Sequence, residues 1–270
     1  MANGSRRLVL ANTITLVVML IANFMAGSGM FISKTVGDVS NKYDTPFAPA
    51  GYAFSIWSFI FLMCIAFCIH QWRLLKRGDT KRYISRTGAW FTISNLANIL
   101  WLICWLNEWL GLSVIAIVLL LVCLCMLTVR LQLEVNDEPA GTILFVWWPI
   151  AFYLGWIMVA TIACVAAWLV STGFKGGGIG EETWTIAMIA VAASIFLYLL
   201  KTRNLRETSA VGVWAFIAIA VKQWQQHQAV SVAAIIASII LLVAIMVHAY
   251  VNRKSKVLAK IAMGEWNDNR

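Results

Sequence analysis

The sequence predicts an all-α membrane protein, a polytopic helix bundle of about eight transmembrane helices, and three observations predict it. Hydrophobic residues make up 61% of the 270-residue chain and charged residues 12%, about half the charged share of a soluble domain. The apolar residues fall into eight runs, roughly 8–30, 50–72, 88–106, 110–130, 143–170, 184–201, 209–225 and 229–251, most of them near the ~20 residues that cross a bilayer as a helix. The basic residues alternate with the runs. With a cytoplasmic N-terminus, all 21 lysines and arginines fall in cytoplasmic segments except Lys34, Lys42, Lys175 and Lys222, the bias of a chain that crosses eight times with both termini inside. The net charge of +9 is therefore a matter of topology, and no nucleic acid partner is expected.

The first run is long and has no small-residue cleavage site after it, so it reads as a retained helix rather than a signal peptide. It carries Asn12 and Asn23, polar amides that need partners on other helices; packing is the favoured reading for both. The outside loop from about 31 to 49 holds Asp38, Tyr43, Asp44, Pro46 and Pro49. Its length and composition suit a cap over the outer helix ends. The second run, from Pro49 to Trp72, carries Tyr52, Phe54, Trp57, Phe59, Phe61 and Phe67 without a charge. That is too dense for an interfacial belt, which sits at helix ends. It serves either close packing or a wall for a flat, greasy ligand.

The basic segment from Arg73 to Arg86 reads as an ordinary cytoplasmic loop, with anionic-lipid contact as the functional alternative. In the third run Ser94, Asn98, Trp101 and Trp105 step by four, three and four, which places them on one helix face. Glu108 and Trp109 mark its outer end. The fourth run is aliphatic and scaffolding in character, and Glu134, Asp137 and Glu138 after it read as a solvated turn. In the fifth run Pro149, Tyr153, Trp156, Ala160 and Cys164 again share a face. Pro149 is expected to loosen that helix near its start, and Gly155 and Ala160 permit close helix approach. Residues 171–183 are Gly-rich and read as an outside linker. Three more helices follow over 184–252, then a basic tail over 253–270. Lys222 stands in a polar outer end with Gln223, Gln225, Gln226 and His227. It either meets an acidic ligand group or, as the favoured reading, snorkels to the headgroups. His70 and His248 read as interfacial residues in preference to haem ligands. The six cysteines lie in apolar runs without metal-ligand spacing and read as small packing residues.

Taken together, Pro49-x-Gly51-Tyr52-x-Phe54-x-x-Trp57, Asn98-x-x-Trp101, and Pro149-x-x-x-Tyr153-Leu154-x-Trp156 with Ala160-Thr161 resemble the TspO/MBR family, the tryptophan-rich sensory proteins and translocator protein. The resemblance covers about residues 8–170 and is to a longer, bacterial-type member with extra C-terminal helices. It implies a five-helix unit over 1–170 whose outer loop covers a pocket for porphyrins, sterols or related compounds, and a place in the bacterial inner membrane. Tyr52 stands where short-form members usually have Trp. Ser55-Ile56 replaces a second proline, and Ala163-Cys164 replaces Leu-Asn. These departures bear on ligand choice more than on fold.

The leading functional expectation is therefore a membrane binding protein or sensor for a flat hydrophobic ligand: a tetrapyrrole, a sterol-like compound or an isoprenoid. The expected ligand-binding residues are Tyr52, Phe54, Trp57, Asn98, Trp101, Trp105, Tyr153, Trp156 and Cys164. Aromatic faces would stack on the ligand and Asn98 would orient its polar edge. No cofactor is required, although haem or protoporphyrin is a candidate ligand. The expected partners are the bilayer and the ligand, and a homodimer is compatible with the sequence. A secondary transporter is the alternative, ranked second because the runs hold almost no ionisable residue away from their ends. Enzyme activity is not expected: HExxH, GxSxG and paired intramembrane carboxylates are missing from the sequence.

Overall fold

The computed structural model describes residues 2–28, 34–78, 83–135, 138–174 and 178–251. The basic tail expected over 253–270 lies outside the described residues, as do Lys81, Arg82, Asp137 and Lys175 of the loops. Each apolar run forms one long helix: α1 (Ala2–Gly27), α3 (Ile56–Arg77), α5 (Trp90–Leu106), α6 (Leu110–Arg130), α8 (Trp148–Ser171), α9 (Glu181–Arg203), α10 (Arg206–Gln223) and α11 (Gln228–Val251). Three short helices lie between them, α2 (Val36–Lys42), α4 (Ile84–Thr87) and α7 (Ala140–Thr142).

Helix ends follow local chemistry. Thr35 and Asp38 form a capping box at the start of α2, with the Asp38 N–H donating to Thr35 Oγ1 and the Thr35 N–H to Asp38 Oδ2. α3 ends at Gly78 and α9 at Asn204, both left-handed, with φ of 77° and 57°; these are the two residue types that best tolerate that conformation. Pro149 lies in the first turn of α8 and has no N–H to give to the turn before it. That turn, Ile143–Trp147, is widened into a π-helix.

Consecutive long helices run antiparallel, so the bundle has a basic end and a cap end. The turns carrying Arg73, Lys76, Arg77, Arg86, Arg130, Lys201, Arg203 and Arg206 gather at the first. α2 and the α5–α6, α8–α9 and α10–α11 connections gather at the second. Among the described residues, six segments are long and apolar enough to cross a membrane on those grounds alone: α1, α3 with its preceding turn, α6, α8 with its preceding turns, α9 and α11. α5 is an apolar helix of 17 residues. α10 is more polar, with Arg206, Glu207 and Lys222. It is flanked by α8, α9 and α11, so much of its surface meets protein rather than lipid.

α1, α3, α8, α6 and α5 close a ring in which each helix packs on the next, and α10 joins this ring through α8. Buried amides hold the ring. Asn12 donates to Gln71 Oε1 at 3.0 Å and accepts from Thr92 Oγ1 at 2.8 Å, linking α1 to α3 and α5. Asn23 donates to Asn98 Oδ1 at 2.9 Å. Asn12 and Asn23 are thus packing contacts, since an amide in hydrocarbon needs a partner. Where α8 meets α10, a Cβ on Gly155 would lie 2.8 Å from both Thr208 O and Val211 Cβ. Thr208 Oγ1 donates to Ala151 O across the same contact at 2.9 Å. The glycine is what lets these two backbones touch.

Candidate functional site

A narrow slot lies at the cap end of the five-helix ring. One wall is aromatic. Trp57 of α3 and Trp101 of α5 stack at 6.2 Å with 29° between their planes, and Trp101 and Trp105 at 6.1 Å and 26°. Trp156 of α8 meets Trp57 edge-on at 6.3 Å, and Phe54 meets Trp156 edge-on at 5.9 Å. The other wall is the small-residue face of α8: Ala160, Ala163, Cys164 and Ala167, which lie within two turns of one helical stripe. Val36, Ser40, Tyr43, Thr45, Ala48 and Pro49 form the roof. The roof is closed. The space inside is about 40 Å³, whereas pockets that hold organic ligands have volumes of about 300–1,000 Å³.

Six of the nine residues singled out in the sequence line this slot: Phe54, Trp57, Trp101, Trp105, Trp156 and Cys164. The other three lie elsewhere. Tyr52 is 43% exposed and packs edge-on against Trp214 of α10 at 5.4 Å. Asn98 donates to the Tyr153 hydroxyl at 3.0 Å while accepting from Asn23. Tyr153 is fully buried behind Trp57, edge-on at 5.8 Å. The amide and the phenol are thus held by each other and by α1, beneath the slot rather than in it. Few polar atoms face the slot walls. The Nε1–H groups of Trp101 and Trp156 are buried without an oxygen or nitrogen partner. The Cys164 sulfur lies beside the Trp101 indole and 3.2 Å from Ser113 Oγ.

The roof is held from two sides by polar and charged residues at the outer helix ends. On one side Glu108, in the α5–α6 turn, accepts from Lys34, Lys42 and the Tyr43 hydroxyl. Lys34, then Lys42 and Tyr43, hold its carboxyl down at about 2. The same contact raises Lys42 and Tyr43 above their ordinary values. The Trp105 indole adds a bond to Val36 O at 3.2 Å. On the other side Lys222 of α10 pairs with Asp44 at 2.6 Å, and the Ala50 N–H donates to Ala218 O at 3.1 Å. Trp214 Nε1 donates to Ala53 O at 3.2 Å. Lys222 therefore neither reaches the slot nor simply snorkels: it anchors the cap. The available signal was the presence of both signs of charge at the outer helix ends, Lys34, Lys42 and Lys222 against Asp44 and Glu108.

Among the described residues there is no cluster of three or more His, Cys, Asp or Glu able to hold a metal ion. His70 stacks on Phe145 at 5.6 Å, on the basic half of the bundle and away from the slot.

A family model described as TSPO-like protein matches residues 9–247. The chain belongs to that family. In this TSPO-like protein the match runs through all eight long helices, beyond the 8–170 stretch whose motifs are legible by eye. No curated protein and no solved structure matches the chain. TSPO-like membership, apolar helices and a buried aromatic cluster together fit a membrane protein that binds a ligand.

Proposed function

We propose that the chain is a binding protein or sensor for a flat hydrophobic ligand of the tetrapyrrole, sterol-like or isoprenoid kind, held in the slot between the tryptophan stack and the alanine face of α8. The observation that carries this reading is the pairing of those two walls. Near-parallel indoles on one side and a face of α8 made mostly of small side chains, with Val159 beside them, on the other leave a gap suited to a planar molecule. The Trp101 and Trp156 N–H groups supply donors for a polar edge of the ligand. Because the slot holds about 40 Å³, entry requires it to widen, by the cap lifting from Glu108 or from α10. Division of the chain into a ligand-binding unit over 1–170 and an accessory unit over 184–252 belongs to the same reading. Transport is the weaker reading, since among the described residues no Asp, Glu, Lys, Arg or His lines the slot.

The test is tryptophan-fluorescence quenching of the purified protein, titrated with protoporphyrin IX, haem and a carotenoid. Saturable quenching by one of them, weakened at least tenfold in Trp101→Ala/Trp156→Ala, is the expected result. Equal affinity in wild type and variant, or no saturable binding at all, removes the proposal.

A further inference from the structure

Between α6, α8 and α9 the bundle leaves a second void, about 500 Å³ in volume. It exists because α9 leans on α11 and α10, touches α8 only lightly, and stands clear of α6. Its walls are apolar where they cross the membrane, with Leu121 and Cys125 from α6, Met158 and Ile162 from α8, and Ile195 and Leu199 from α9. At the basic end of the bundle the lining changes character to Thr128, Thr202 and Arg203. Arg203 is half-buried there and makes no ion pair or side-chain hydrogen bond among the described residues. Its chain neighbours Lys201 and Arg206 are basic, and Glu207 follows Arg206. Glu134 is held by the Asn204 amide at 3.2 Å.

We infer that this void is a binding site for one anionic phospholipid, with an acyl chain along the groove and the phosphate on Arg203. Three features argue for this occupant. The walls are apolar over the depth that acyl chains occupy. The mouth carries an arginine without an acidic partner, in a basic neighbourhood at the level of the headgroups, where basic pockets between helices hold anionic lipids. The volume, about 500 Å³, would hold little more than one turn of a helix about 10 Å across. The site is separate from the slot, which lies at the other end of α8.

The experiment is native mass spectrometry of the full chain, incubated with equimolar dioleoylphosphatidylglycerol and dioleoylphosphatidylcholine. A single-lipid adduct is expected, with phosphatidylglycerol retained about fivefold over phosphatidylcholine. Arg203→Gln should equalise the two, and Ile195→Trp, which fills the groove from an exposed position, should remove both. Cys125→Trp fills it from the α6 side and replaces Ile195→Trp should that variant lose its helical circular dichroism. Equal retention of the two lipids by the wild type overturns the inference. So does a preference that survives Arg203→Gln, an adduct that survives filling of the groove, or displacement of the phospholipid by equimolar oleate, which would make the occupant a free fatty acid.

Discussion

Glu108 sits in the α5–α6 turn at a φ of 61°, a conformation that a side-chain-bearing residue seldom adopts. Its carboxylate faces two lysines and a tyrosine of the cap. A carboxyl whose folded value is depressed contributes stability that is fully present above its unfolded value. That contribution is lost as pH falls from there through the folded value, here from 4.5 towards about 2. Lys42, raised above 10.5, contributes below that value and is lost only above it. The latch is therefore constant from about pH 5 to about pH 9. Acrylamide quenching of tryptophan should be flat across this range and rise as pH drops below 4.5. Glu108→Gln should show the higher quenching already at neutral pH, and added salt should move the wild type towards the variant, because exposed charges are screened. A pH-independent difference of zero between variant and wild type would mean that the cap does not depend on this residue. Neighbouring positions show the limits of reading residues singly. The pair Asp44–Lys222 joins positions 178 apart in the chain, and no local pattern announces such a contact. Asn98 was legible as a polar residue on an aromatic face, but not as one already held by Asn23 and Tyr153.

α8 connects the two readings of the molecule, because one of its faces lines the slot and another touches α10. Its stripe of Pro149, Tyr153, Trp156, Ala160 and Cys164 could be read from periodicity, since a 3.6-residue repeat survives in a membrane helix. The widened turn Ile143–Trp147 could be anticipated from Pro149. What periodicity could not assign was the partner of each face, because lipid and a neighbouring helix both accept apolar side chains. Gly155 illustrates this: its role as a close contact was readable, but not that α10 is what it touches. Gly155→Ala should destabilise the protein by about 1–3 kcal/mol as overpacking at a backbone contact, seen as a lower thermal midpoint in detergent. Gly51→Ala, where a Cβ meets nothing within 4 Å, should leave the midpoint unchanged. Equal midpoints for both variants would show that α8 and α10 can part without cost.

At the scale of the whole molecule, an all-α bundle of apolar helices was legible because hydropathy is a property of the chain itself. The closed ring of five helices and the attachment of α9–α11 through α10 are not, since they depend on which surfaces choose each other. The cap spans this division: Glu108 belongs to the ring and Lys222 to α10. Lys222→Met should free one edge of the cap and raise the affinity for any slot ligand several-fold, with helical content unchanged in circular dichroism. Lower affinity would mean that Lys222 holds the ligand rather than the cap. The double support also sets a thermodynamic condition. A closed roof is an equilibrium constant in series with binding, so measured affinity equals intrinsic affinity multiplied by the open fraction. Linkage is reciprocal: if the cap opens on its α10 side, occupancy of the slot loosens that grip, and the Ala50 amide hydrogen, which bonds Ala218 O, should exchange faster when ligand is bound.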